Sequence, residues 1–482
     1  MLTVSGRELA RRIRSGELTS REVVQAHVEH ARRVNPRINA IVVDRYDAAL
    51  DDADGADRVV KETDPAKLPP YHGVPCTVKE TFAFTGMPNT AGLVSRVGRL
   101  ATVDAVTVTR LRGSGAIPLG VTNTSELAMW YESDNHVYGR TNNPYDLGRM
   151  VGGSSGGEGA AVGAGMSPFG LGSDIGGSIR LPAFFNGVFG HKPSGGLVPS
   201  TGQFPLADND ALRYQCTGPI ARRAEDLMPL LRLLAGPDGV DSRCEPLPIG
   251  DPADVVLDGL DVVVIESSHH LAVRRVSPDL RAAQQRAADA LEAAGARVRR
   301  ADVRALRHSF DIWSALMSAA RETPFRVLLA DGGRFRSLPE LGRYAARRSP
   351  HTFPALGLAL LERWPELTPR RGRRFVELGL ALKAELHELV GDGLLLYPPF
   401  PSVAPRHGRA VRTPLDFTYT AILNVVEMPV TQVPLGLDAA GLPLGVQVAA
   451  ARGHDHVTIA AALELERACG GWVPPWRARA GA

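Results

Sequence analysis

The chain has 482 residues, 44% of them hydrophobic and 22% charged, and its 55 Lys+Arg against 52 Asp+Glu leave a net charge of +3. That is the balance of a globular protein with a large core; collagen and low-complexity disorder are excluded, because 50 Gly and 36 Pro follow no period. No run of about 18 apolar residues exists, which excludes an ordinary membrane-spanning helix.

The first 35 residues read as two amphipathic helices. Ser5 with Glu8, and Thr19 with Glu22, have capping-box spacing. Val24, Val28 and Ala31 line one face, and Asn35-Pro36 is expected to end the run. The N-terminus lacks the apolar core and small-residue cleavage site of a secretory signal. A short strand (INAIVV, 38–43) and an acidic helix to about residue 62 follow. Residues 71–80 (YHGVPCTVKE) read as a strand ending in a polar turn. Residues 103–125 read as helix, strand and loop.

Between 152 and 196 the composition changes. The block holds 15 Gly and only four charged residues, Glu158, Asp174, Arg180 and Lys192. Dense Gly without charge means backbone packed close to backbone or to a ligand. Residues 260–303 form a βαβ unit: DVVVIE, a helix capped by Ser277 with Pro278 at its first position and stopped at Gly295, then RVRRADV. Such a crossover implies parallel pairing. Residues 297–374 are basic, with 17 Arg, no Lys and seven Asp/Glu. Apolar strands (LLLYPPF, MPVTQVPL, PLGVQVAA) and a helix (457–468) close the chain.

Several chemistries fail on spacing. No Gly-Lys pair makes a P-loop, no GxGxxG makes a dinucleotide site, and no Ser lies three residues before a Lys. His387-Glu388 lacks the second His of a zincin helix. The paired His269/His270 and His454/His456 lack ligand partners, so no metal and no cofactor are expected. Gly153-Ser154-Ser155-Gly156-Gly157 matches GxSxG, but turn-forming residues precede it where a nucleophile elbow needs a strand. Cys76, Cys216, Cys244 and Cys469 form no CxxC, so reduced thiols in a cytoplasmic protein are expected. The small net charge speaks neither for nor against nucleic acid, and no nucleic-acid partner is expected.

Three pieces remain. Lys79, one of only five Lys, follows an apolar strand in YHGVPCTVKE. Ser154 and Ser155 lie in GGSSGGEGA. Ser178 lies in GSDIGGSIRLPAFFNGVFGHKPS. With TGPIARRAEDL, EMPVTQVPLGL and GLPLGVQVAA, these resemble the amidase signature family of amide hydrolases over nearly the whole chain. Within it, GRTNNPYD, the Ser178 stretch and LYPPFPSVAPRH most resemble the fatty-acid amide hydrolase type-two branch. Cys76, Glu158 and His191 depart from the commonest family pattern, the last two in the direction of that branch.

Amide hydrolysis needs a nucleophile, a base, an acid for the leaving amine and donors for the oxyanion. Ser178 is the expected nucleophile. The amides of Ile175, Gly176, Gly177 and Ser178 are expected to face one cavity as an oxyanion hole. Lys79 is the expected base, which requires its pKa to fall from about 10.4. The resemblance implies a Ser–Ser–Lys order with Ser154 as proton relay, and a cis peptide between Gly153 and Ser154. A hydrogen-bonded chain from Lys79 through Ser154 to Ser178 is the geometric expectation. Ser155 is expected to brace the loop, Lys192 to satisfy loop carbonyls, and Asp174 with Arg180 to fix the hole, substrate binding being the other reading of that pair.

The resulting fold is one α/β domain over 1–482, a twisted mixed sheet flanked by helices, with a catalytic Gly-rich core at about 70–200 and a more variable helical segment at about 305–390. The substrate is a small-molecule amide, with a fatty or aryl acyl group. A small-amide amidase, the glutaminase subunit of a tRNA-dependent amidotransferase and a non-catalytic binding protein stay open. So do a homo-oligomer and peripheral membrane contact. For the last, LGLALLERW (356–364) lies between Arg348 and Arg370, Arg371, Arg373 and Arg374. It reads either as a core-facing helix with a basic rim, or as a face for anionic lipid or a fatty acyl chain.

Overall fold

The computed structural model describes residues 1–362 and 369–478. Eleven strands form the main sheet, numbered here in chain order: Ile41–Asp44 (β1), Pro75–Lys79 (β2), Ile117–Thr122 (β3), Phe169–Asp174 (β4), Phe189–Lys192 (β5), Cys216–Ala221 (β6), Asp261–Val264 (β7), Arg297–Arg300 (β8), Leu394–Tyr397 (β9), Val430–Leu437 (β10) and Pro443–Ala449 (β11). Across the sheet they run β1-β3-β2-β4-β6-β5-β10-β11-β9-β7-β8. The β3-β2-β4 group and the β9-β7-β8 group are parallel, and antiparallel pairs join them. The sheet is therefore mixed, with helices covering both faces of its buried centre, as an α/β pattern requires.

The expected βαβ unit is present. Ser277 accepts from the Leu280 amide at the start of the helix Pro278–Ala293, and Gly295 leaves that helix with φ +98°. Val262, Val263 and Val264 of β7 are at most 3% exposed; burial stabilises each by about 1.5–3 kcal/mol. Next to it β8, Arg-Val-Arg-Arg, ends the sheet. Its Arg297 and Arg300 make solvent-exposed ion pairs with Asp261 and Glu266.

Near the N-terminus the elements fall where the caps put them, with one correction. Thr19 and Glu22 form a complete capping box, whereas Glu8 turns away from Ser5 to pair with Arg11 and Arg12. The second helix, Ser20–Ile38, passes through Pro36 and stops at Asn39, which is left-handed at φ 55°. Asn35 does not end it; its side-chain oxygen accepts from the Ala40 and Ile41 amides beyond the end. A proline this close to a C-terminus removes one hydrogen bond without ending the helix, and an Asn that tolerates αL supplies the stop. The strand that follows begins at Ile41, three residues later than its apolar run.

The segment 305–390 is helical: Ser309–Ala320, Phe325–Leu329, Ser337–Ala345, Phe353–Leu361 and Pro369–Val390. In Phe353–Leu361, Leu356 and Ala359 are buried and Leu360 is 39% exposed. The Leu361 side chain, Trp364 and Glu366 lie outside the described residues. Among the described residues no helix is long and apolar enough to cross a membrane.

Candidate active site

Strands β2, β3 and β4 are parallel, so their C-terminal ends share one edge of the sheet, the place where open α/β sheets hold ligands. Lys79 is the last residue of β2 and Asp174 the last of β4. Between them, Gly152–Ser155 leads into the fully buried helix Gly156–Gly163. That helix approaches so closely that a Cβ on Gly157 would overlap the Asn123 backbone. The Gly153–Ser154 peptide is cis, as the resemblance implies.

Lys79 is completely buried. Its Nζ lies 2.7 Å from Ser154 Oγ and 3.0 Å from Ser173 Oγ, donating to both. Burial pulls its pKa down to about 7, against the negative charges of Asp174, Glu158 and Glu80, which hold it up. Glu158 is buried below it. Burial pushes the Glu158 carboxyl up to about 7, while the hydroxyls of Thr77 and Thr122, each donating at 2.7 Å, pull the other way.

Asp174 organises the loop after β4. Although burial raises its pKa, the Arg180 guanidinium beside it holds the carboxyl well below the usual range. Arg180 is bidentate to it, Nε and one terminal nitrogen each at 3.0 Å. The same carboxylate accepts from the amides of Gly177 (2.7 Å) and Ile179 (3.0 Å) and from Asn424 (2.9 Å). The pair is fully buried and its groups are saturated, so it fixes the loop. A Cβ on Gly177, at φ +120°, would overlap the Thr420 hydroxyl.

This corrects the expectation of four converging amides. The Gly177 N–H is committed to Asp174. Among the described residues the amides of Ile175, Gly176 and Ser178 carry no hydrogen bond, and all three residues line a cavity. The expected proton chain is also corrected. Its Lys79–Ser154 link is made, but no hydrogen bond joins Ser154 to Ser178 among the described residues. Ser154 Oγ is drawn to Lys79, and catalytic hydrogen bonds are often long before substrate binds. Among the described residues the Ser178 hydroxyl has no hydrogen-bond partner; both serines line the same small cavity.

Ser155 is fully buried. Its hydroxyl donates to the Ser173 carbonyl (3.2 Å) and accepts from the Ser173 amide (3.3 Å), bracing the loop against β4. Lys192 donates to the Pro193 carbonyl at 2.7 Å. Ser173, Ser133, Thr420 and Trp313 were missed by sequence reasoning. Ser133 donates to the carbonyls of Gly152 and Ser154 (both 3.1 Å) and so cradles the turn. No sequence motif marked Ser173: its hydroxyl meets Lys79 because β2 and β4 are neighbours in the folded sheet.

Two cavities meet at Ile175 and Ser178. One, of about 70 Å³, is lined by Ser154, Ser173, Asp174, Gln203 and Asp208. The other, of about 340 Å³, is apolar, with Trp130, Phe310, Trp313, Leu358 and Phe417 in its wall. Gly357 and Leu358 bring residues 356–362, the described part of the segment 356–364, to that wall. On the same helix Leu356 and Ala359 pack into the core, as the core-facing reading expects. Among the described residues no three His, Cys, Asp or Glu gather to hold a metal ion.

A family model described as amidase matches residues 22–459. Fatty-acid amide hydrolase 2 of Homo sapiens is 44% identical over 489 aligned positions, covering 98% of this chain and 91% of that protein. Acylamidase of Rhodococcus erythropolis is 32% identical, covering 98% and 96%. The solved structure of 6-aminohexanoate cyclic dimer hydrolase with its substrate matches with a TM-score of 0.82 at 27% identity, over 97% of each chain.

Proposed function

The chain belongs to the amidase signature family, hydrolases of carbon–nitrogen bonds other than peptide bonds, and on that premise we propose that it cleaves fatty or aryl acyl amides through an acyl-enzyme on Ser178. The observation that carries this reading is the buried Lys79 amine, brought to a pKa of about 7 and held 2.7 Å from Ser154. A neutral Lys79 accepts the Ser154 proton while Ser154 takes the proton of Ser178. Ser178 Oγ attacks the carbonyl carbon, and the amides of Ile175, Gly176 and Ser178 receive the oxyanion. Ser154 then returns a proton to the leaving nitrogen, the C–N bond breaks, and the amine departs. Water attacks the ester by the same route, giving the carboxylic acid and free Ser178. Arg180 and Asp174 position the loop.

The apolar cavity supports an acyl group of some length. A glutaminase would need charged partners for the ammonium and carboxylate of glutamine; Asp208 and Arg321 line the smaller cavity, whereas aromatic rings line the larger one, which suits an acyl group. The variable segment 305–390, which supplies Phe310, Trp313 and Leu358, selects the acyl group in this reading. A cytoplasmic setting fits four unpaired cysteines. Peripheral contact with anionic lipid belongs to the same reading, supported by the exposed Leu360 and Arg370, Arg371, Arg373 and Arg374.

A panel of acyl amides of increasing chain length tests the proposal. kcat/KM rises from acetyl to octanoyl amides, and mass spectrometry after acid quench finds the acyl group on Ser178. Equal kcat/KM across the panel rejects the acyl assignment, and an unlabelled Ser178 rejects the nucleophile.

A further inference from the structure

We propose that Trp313 is a positioning residue that couples filling of the apolar cavity to the aim of the Gly176 amide; this rests on the reading of Ile175–Ser178 as the oxyanion site. Four peptide units supply the amides of Ile175–Ser178; Asn424 donates to the Asp174 carbonyl (3.0 Å) of the first and the Leu181 amide to the Gly177 carbonyl (2.7 Å) of the last. The Gly176–Gly177 unit is tied at both ends, because Thr420 Oγ1 donates to the Gly176 carbonyl (2.8 Å) and the Gly177 amide donates to Asp174 (2.7 Å). The Ile175–Gly176 unit has one tie among the described residues: Trp313 Nε1 donates to the Ile175 carbonyl at 3.2 Å. Carbonyl and amide of a planar trans unit point opposite ways. Holding the Ile175 carbonyl therefore sets the direction of the Gly176 N–H. Gly176, without a side chain, resists a turn of that plane weakly.

The indole acts from the cavity wall. It stands edge-on to Phe417, ring centres 5.2 Å apart at 85°. Phe417 in turn is the side chain nearest to where a Gly176 Cβ would lie, at 3.6 Å. An acyl group in the cavity packs on both rings and restricts the indole. Trp313 belongs to the helix Ser309–Ala320, in the variable segment and 138 residues from Ile175. Contacts remote from the scissile bond are thereby converted into oxyanion orientation, which raises kcat and not merely affinity.

The test uses Trp313→Phe and, at the same position, benzothienylalanine, which keeps the shape of tryptophan but has sulfur in place of N–H. Acetanilide and octananilide are the substrates. Both variants lose kcat on octananilide by about 100-fold, the size expected for one oxyanion donor, with KM within about threefold of the unaltered protein. The kcat advantage of octanoyl over acetyl collapses with it. A raised KM at unchanged kcat overturns the inference and leaves Trp313 as wall only. Full kcat in the sulfur variant overturns it too, since shape alone then suffices. That isosteric variant decides the matter if Trp313→Phe does not fold. Ser178→Ala in the same assay separates the two levels. If it is active, the reading of the site fails; if it is inactive while both Trp313 variants keep kcat, only the role of Trp313 fails.

Discussion

Between residues 152 and 196 every residue is buried except Ile175 and Gly176, which are half-buried at the cavity; among the described residues of 305–390 most side chains reach solvent. The first region holds four charged residues, all engaged within the protein, and places its backbone by close approach. The second holds many arginines, and its ties run through side chains, such as Arg321 to Glu362 and His351 to Glu126. In the proposed function backbone amides and a buried amine do the chemistry, and there almost nothing is free to vary. Where a wall is needed for one part of the substrate, side chains can change without disturbing the reacting groups. The contrast implies that changes in the first region abolish the reaction or the fold, whereas changes in the second redirect it.

The largest effect that sharpens this contrast is on Lys79. Lys79→Arg and Lys79→Ala should both lose about 10⁴-fold in kcat or more, because arginine does not give up its proton and so cannot accept one. In the unaltered protein kcat/KM should fall about tenfold per pH unit below about 7, where Lys79 is protonated, and level off above it. An Arg variant with high activity would show that only the charge matters. Next is Asp174→Asn, which leaves the Arg180 charge buried without its anion. It should cost about 3–5 kcal/mol, read as a lowered urea midpoint; an unchanged midpoint would remove the loop-fixing role.

A smaller and selective effect is expected in the second region. A side chain at Gly357 meets open space in the cavity wall. Gly357→Leu should cut kcat/KM for octanoyl amides about tenfold and leave acetyl amides within twofold. Its thermal midpoint should not fall, since leucine favours helix over glycine by about 1 kcal/mol. Equal losses on both substrates would erase the distinction between the two regions. Smallest is the joint replacement of Arg370, Arg373 and Arg374 by Gln. Exposed charges contribute within about 0.5 kcal/mol each, so stability and hydrolysis in solution stay put, while any binding to anionic vesicles falls.

The sequence makes the first region legible for the same reason it is constrained. Gly-rich stretches without charge, a lone Lys after an apolar strand and a Ser after two Gly are local patterns, and the βαβ unit is marked by its own caps. What stayed hidden depends on partners far along the chain. Thr420 reaches Gly176 across 244 residues, and Trp313 reaches Ile175 across 138. Neither Thr nor Trp announces such a bond. Gly177 was assigned to the oxyanion because its freedom is visible in sequence, but the acceptor that takes its N–H, Asp174, is chosen only once the loop closes. The Pro36 reading failed because a breaker signal was weighed above the αL-tolerant Asn39.

The end of the sheet has a further consequence. An uncovered outer strand is a template on which a second molecule can add its own strand, and long flat apolar edges invite fibrils. Here β8 offers Arg297, Arg299 and Arg300 within four residues, around the single Val298. A second copy aligned along it would set guanidinium groups against guanidinium groups, which is destabilising in cross-strand positions. The carboxylates beside them are too exposed to cancel this repulsion. A sheet running on through two molecules is thereby disfavoured at this edge. Any self-assembly of the chain must use another face, and the strand that closes the fold also guards it against growth into aggregates.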